Sequence, residues 1–162
     1  MGIIAAKNVM DPAEFWREYE VRFGEQVHSY TLGRYLRGWN EYDAPLWGLL
    51  IATSGGFRFH HFPHEGWIEA ISRTTSGGAA PTEKLIFIPK ERIVSAELRF
   101  EKSWWRKLLF AQPPLLIIRY RDVNGTGEPI AELIAETEKK AETLVRHLTT
   151  TMLDAIGAHF CC

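Results

Sequence analysis

The first clear periodicity begins just after Asp11. Phe15, Trp16, Tyr19 and Phe23 recur at the spacing of one helical face. Asp11 offers a capping carboxylate and Pro12 suits the first helical position. Glu14 sits near the positive end of the helix, and Gly24 can adopt the left-handed conformation that ends one. The pattern predicts an amphipathic helix over 12–23, with an aromatic stripe suited to packing or docking.

From Gln26 to Ile134 the period changes. Short apolar or alternating runs are separated by Gly, Pro, Asn and Ser, the punctuation of strands and turns. Runs at 27–37, 46–53, 57–62, 67–73, 84–88, 93–101, 115–121 and 130–135 read as strands, although the alternation in 27–37 is untidy. The arms 46–53 and 57–62 flank Ser54, Gly55 and Gly56, a strong hairpin signal. In the second arm Phe57 and Phe59 share a face opposite Arg58 and His60. Residues 74–82 (TTSGGAAPT) read as a loop, without the lysine that a phosphate-cradling loop requires. Helical spacing then returns: Ala141, Leu144, Val145, Leu148, Met152 and Ile156 form one apolar face, with Thr137 to cap the start and Gly157 to stop it. A long helix is predicted over 137–156.

The order is helix, about seven strands at meander spacing, then helix. Strands do not alternate with helices, which argues against a parallel doubly wound sheet. The expected architecture is mainly β with flanking helices. It is an antiparallel bent barrel over 26–135, its interior filled by side chains and its mouth stopped by the C-terminal helix. A chain of 162 residues with 46% hydrophobic content supports one domain, 1–162, with a real core. Lys plus Arg is 19 against Asp plus Glu 20, so no long-range field gathers nucleic acid, and the basic residues form no extended stripe. The two cysteines, Cys161 and Cys162, are adjacent at the end and cannot staple a fold. No run approaches the roughly 20 apolar residues of a membrane helix, and the apolar start lacks a basic flank. A cytoplasmic protein is expected.

Several stretches carry a family likeness: Gly48-Leu49-Leu50-Ile51-Ala52-Thr53 leading to Phe57-Arg58-Phe59, Ile88-Pro89 with Ile93-Val94-Ser95, Pro114 through Asp122 (PLLIIRYRD), and the closing helix from Glu136. Over residues 26–156 the chain resembles a pleckstrin-homology-like domain, in particular its bacterial and GRAM-like members. The resemblance implies a seven-stranded, two-sheet bent barrel with a C-terminal capping helix. It implies a binding module rather than a catalyst, with lipid head groups, proteins or a second copy as partners. The N-terminal helix and the 74–82 loop are additions to that minimal domain. The basic signature that phosphoinositide-binding members carry between their first two strands is not found at Ser54-Gly55-Gly56, which is uncharged.

The most unusual local chemistry is Lys102, Trp104, Trp105, Arg106 and Lys107, followed by Leu108, Leu109 and Phe110. Indoles favour surfaces with one wet and one apolar side, and neighbouring cations can meet phosphate, so these five residues are the expected partner- or membrane-binding site. Arg119 and Arg121 share a strand face and extend a basic patch unless Glu97 and Glu101 pair with them. His60, His61 and His64 form the one histidine cluster. Strand geometry lets only His60 and His64 converge, with Glu65 or Glu69 as carboxylates. That region is the alternative reading, a small enzyme or a ligand- or metal-binding protein. No Gly-x-Ser-x-Gly elbow is present, and the carboxylates sit mainly at turns and on polar faces. The leading expectation is a non-catalytic binding or adaptor module, without catalytic residues, cofactor or metal. It would engage a protein partner or itself through the aromatic helix at 12–23 and the Trp104–Trp105 loop, with peripheral membrane contact as a further use of that loop.

Overall fold

The computed structural model describes residues 11–38, 45–62, 83–100, 113–123 and 127–157, the side chains at 151, 152 and 154–157 excepted. Its elements follow the sequence pattern closely. Helix α1 spans Pro12–Phe23. Strands β1 (Val27–Arg37), β2 (Leu46–Thr53), β3 (Gly56–His61) and β4 (Lys84–Pro89) follow. A 3-10 turn, η1 (Lys90–Arg92), leads to β5 (Ile93–Arg99), β6 (Leu115–Tyr120), β7 (Ile130–Ala135) and helix α2 (Glu138–Gly157). The expected strand at 67–73 lies outside the described residues.

All seven strands form one antiparallel sheet in the order β4-β3-β2-β1-β7-β6-β5. Two meanders, β1–β4 and β5–β7, are thus joined where the first strand pairs with the last. Strands β4 and β5 are neighbours in the chain but lie at opposite edges of the sheet. Only η1 separates them, and the four steps from Pro89 to Ile93 span at most about 14 Å. The sheet must therefore curl until its two edges meet at that corner. It is a bent sheet rather than a closed barrel: among the described residues no ladder joins β4 to β5.

The concave side holds the core. Tyr35, Leu50, Phe57, Phe59, Ile86, Ile88, Leu116, Ile118 and Leu133 are fully buried there, together with Ala141, Leu144 and Leu148 of α2. Each such Leu, Ile or Phe contributes about 1.5–3 kcal/mol through burial. Helix α2 packs against β1, β5 and η1 and also reaches β2, β3 and β7, stopping the open mouth.

Strand β1 explains its own untidy alternation. Its inward positions are Thr31, Gly33 and Tyr35, all buried, whereas Tyr30 and Leu32 face outward. Two inward positions are polar or small, and two outward ones are apolar. A Cβ at Gly33 would lie 2.4 Å from both the Ile134 carbonyl oxygen and Leu50 Cδ1, so glycine is required by close approach.

Helix α1 lies on the convex side. Asp11 caps it, its carboxylate accepting from Ala13 N–H at 3.1 Å, and Gly24 (φ 65°) closes it with an N–H bond to the Glu20 carbonyl. The next residues are tied to the β2–β3 turn. Gln26 N–H donates to Ser54 Oγ, Ser54 N–H donates to the Gln26 carbonyl, and Val27 N–H donates to Glu20 Oε1 at 2.7 Å. Because Val27–Arg37 is the first strand, Ser54 and Gly55 join the second and third. The connection between the first two strands is 38–45, most of it outside the described residues. The uncharged Ser54-Gly55-Gly56 therefore lies between the second and third strands, not between the first two.

Candidate functional site

On the convex face, antiparallel register sets side chains in rows. One row runs Tyr30–Ile51–Arg58–Phe87, the next Leu32–Leu49–His60–Leu85, and the third begins Arg34–Trp47. Helix α1 covers the first row and part of the second. Trp16 packs on Tyr30 with ring centroids 4.0 Å apart, Phe15 meets Phe62 at 6.0 Å, and Tyr19 and Phe23 both contact His60. The aromatic stripe on α1 is thus a packing surface.

Beneath the helix the supposedly polar face of β3 is buried. The Arg58 guanidinium lies between the rings of Phe23 (4.4 Å) and Phe87 (3.9 Å). It also grips Glu25 with both arms, Nε at 2.9 Å and Nη2 at 2.6 Å, while Thr53 Oγ1 donates to the same carboxylate at 2.6 Å. Burial works to raise the Glu25 carboxyl, but the bonds from Arg58 and Thr53 outweigh it and hold it below the usual carboxylate range.

His60 lies deeper, 1% exposed. Its ring stacks on Phe62 at 4.0 Å, and Nδ1 is 3.4 Å from the Tyr19 hydroxyl. Nε2 is 3.3 Å from Glu83 Oε2, an ion-pair distance, but the approach does not meet hydrogen-bond geometry and leaves that nitrogen without a bonded partner. Glu83 Oε2 is already bonded by Arg22 at 2.9 Å, which holds its carboxyl low. Burial pulls the His60 imidazole below its ordinary pKa, against the attraction of Glu83 and with added opposition from Arg22 and Arg58. Burial pushes the Tyr19 hydroxyl up to about 12.

The expected histidine site is not assembled by the described residues. His61 turns away to bond the Trp47 carbonyl through Nδ1 at 2.6 Å, and His64, Glu65 and Glu69 lie outside the described residues. Among the described residues no three His, Cys, Asp or Glu side chains gather as metal ligands. With its ring sealed, His60 offers no exposed atom to a substrate in this arrangement.

What α1 leaves open is apolar. Trp47 is 64% exposed, Leu32 52%, Tyr30 44% and Phe62 36%, all on one side of the sheet, with half-buried Leu49 among them and Arg34 beside Trp47. Sequence reasoning missed this face. Its signal was the disordered alternation of β1, where glycine and threonine face the core and the larger side chains face water. The five residues singled out earlier, Lys102, Trp104, Trp105, Arg106 and Lys107, lie outside the described residues. Arg119 stands opposite Ser95 and Ile130 in register, not opposite Glu97. A shallow depression of about 270 Å³ on α2, lined by Lys139, Glu142, Thr143 and Arg146, lacks the apolar walls of a small-molecule site.

Among the described residues no helix is long and apolar enough to cross a membrane. Comparison with known proteins finds no family model and no curated protein that matches the chain.

Proposed function

We propose that the chain is a non-catalytic binding or adaptor module of the pleckstrin-homology-like kind, engaging a protein partner or a second copy through the convex face of β1 and β2. The observation that carries this reading is the grouping of Tyr30, Leu32, Trp47 and Phe62 as exposed apolar side chains on one face. Bringing such a surface out of water is worth about 25 cal/mol per Å² before the costs of association, and aromatic anchors give the largest share. The antiparallel strand order and the C-terminal helix over the mouth support the kinship, because that family carries the same plan. A charge balance of −1 leaves two copies with little mutual repulsion.

Light scattering over a range of concentrations tests self-association. Mass should rise above the 18.6 kDa monomer with concentration in the parent and remain at the monomer value in Trp47→Glu. Affinity capture from the cell of origin tests the partner arm, with binding by the parent and none by Trp47→Glu. A monomer at every concentration together with equal capture by both forms would remove this reading.

A further inference from the structure

The polar cluster under α1 has an unusual charge balance. Arg22, Arg58, Glu25 and Glu83 form two ion pairs whose charges cancel, and neutral His60 sits between the pairs. Among the described residues the titratable or charged groups facing His60 are Tyr19 and Arg22 from α1, Glu25 from the link to β1, Arg58 from β3, and Glu83 just before β4. A proton on the ring brings the cluster to +1, and the ring that carries it is 1% exposed, although Arg22 and Glu83 at the edge of the cluster are 56% and 43% exposed. Nδ1 faces a hydroxyl at 3.4 Å, and the carboxylate 3.3 Å from Nε2 is shared with Arg22 and stands 43% exposed, where solvent screens its pull on the ring. The ring also stacks on Phe62, which in turn contacts Phe15, so the group that would be charged lies within the aromatic contacts holding the helix.

We propose that His60 is a proton-sensitive latch for α1: when its buried ring takes up a proton, the helix leaves the convex face and uncovers the rows beneath it. Ile51 and the covered parts of Tyr30 and Phe62 then extend the patch already open at Leu32 and Trp47, and the stripe Phe15, Trp16, Tyr19 and Phe23 is bared on the freed helix. The asymmetry is favourable for such a device. Among the described residues the buried apolar cluster of the concave side contains no histidine, although His147 of α2 stacks on His28 of β1 beside it with ring centroids 5.6 Å apart, so β6 rather than α2 is the reference for the core. The latch acts whatever binds the uncovered face, so it stands or falls separately from the binding reading.

The sign follows from linkage. Docking holds the imidazole below its ordinary pKa, so docking is strongest when the ring is neutral and weakens as pH falls through the ordinary histidine value of 6.5. Hydrogen exchange of the full chain, corrected for intrinsic rates, reads this directly at about pH 7.5 and about pH 5. Protection of the α1 amides should fall about tenfold for each unit by which docking lowers the imidazole, while protection of β6 holds. His60→Gln should make α1 protection flat with pH. Glu83→Gln removes the one carboxylate that favours the charged ring, so release should move to higher pH. Nuclear magnetic resonance of the parent's imidazole gives a readout needing no variant, because ring titration and α1 release should coincide. The latch is overturned by unchanged α1 protection in the parent. It is also overturned by a pH-dependent loss that persists in His60→Gln, or by a ring that titrates while α1 stays protected.

Discussion

Inside the bend, side chains are apolar, interdigitated and sealed by α2. Outside it, burial is achieved with ions, rings and a single short helix. The concave core packs Phe57, Phe59, Ile86, Leu116 and Leu144 against one another without charge. The convex interface under α1 holds Arg58, Glu25 and His60 and keeps them from water with Phe23, Phe87 and Tyr19. Close-packed apolar contact is insensitive to pH and fails only when volume is lost. A buried ion cluster is conditional: each charge is tolerable only while its partner remains. The molecule therefore joins a permanent core to a conditional outer layer, and the exposed apolar patch borders the conditional part.

The largest expected effect belongs to the core. Phe59→Ala should cost about 3–5 kcal/mol, seen as a lower denaturant midpoint for the whole chain. On the convex side, Arg58→Ala leaves Glu25 buried without its cation and should cost about 3 kcal/mol, with Arg58→Met/Glu25→Gln recovering part of the loss. The same pair fixes a pH dependence. The contribution of Glu25 is complete above the ordinary carboxylate pKa and disappears as pH falls through its lowered folded value, so the gap between parent and Arg58→Ala should narrow in acid. Asp11→Ala removes one helix cap, worth about 1 kcal/mol, and should appear as faster exchange in α1 with β6 unchanged. Trp47→Ser lies outside both buried layers and should move stability by no more than about 0.5 kcal/mol while abolishing association. A large loss of stability there would mean that Trp47 belongs to the packing and not to a docking surface.

The elements were legible because their signals are local. Asp11-Pro12 and Gly24 bracket α1, the Pro114-to-Asp122 stretch marks β6, and Leu144 with Leu148 mark the inner face of α2. Two things were not legible, and both depend on distant pairing. One is the β1–β7 ladder, whose partners Gly33 and Ala135 lie far apart in the chain and carry no matching pattern. The other is the fate of the convex face of β3. Alternation separates Arg58 and His60 from Phe57 and Phe59 but does not say what covers them, and the docking of Tyr19 and Phe23 makes that side internal. The exposed patch escaped notice for a related reason. Hydrophobicity alone assigns Tyr30 and Leu32 inward, and the space already taken by Leu50 beside Gly33 reverses them.

The brevity of η1 has a consequence of its own. With only Lys90, Glu91 and Arg92 between them, the last strand of one meander and the first of the other cannot part company within a single molecule. A longer, slack connection at this corner would lift that tether. The two edges would then be kept together only by side-chain packing, without the covalent strap that now joins them. Three residues thus clasp the two rims of the bend like a buckle.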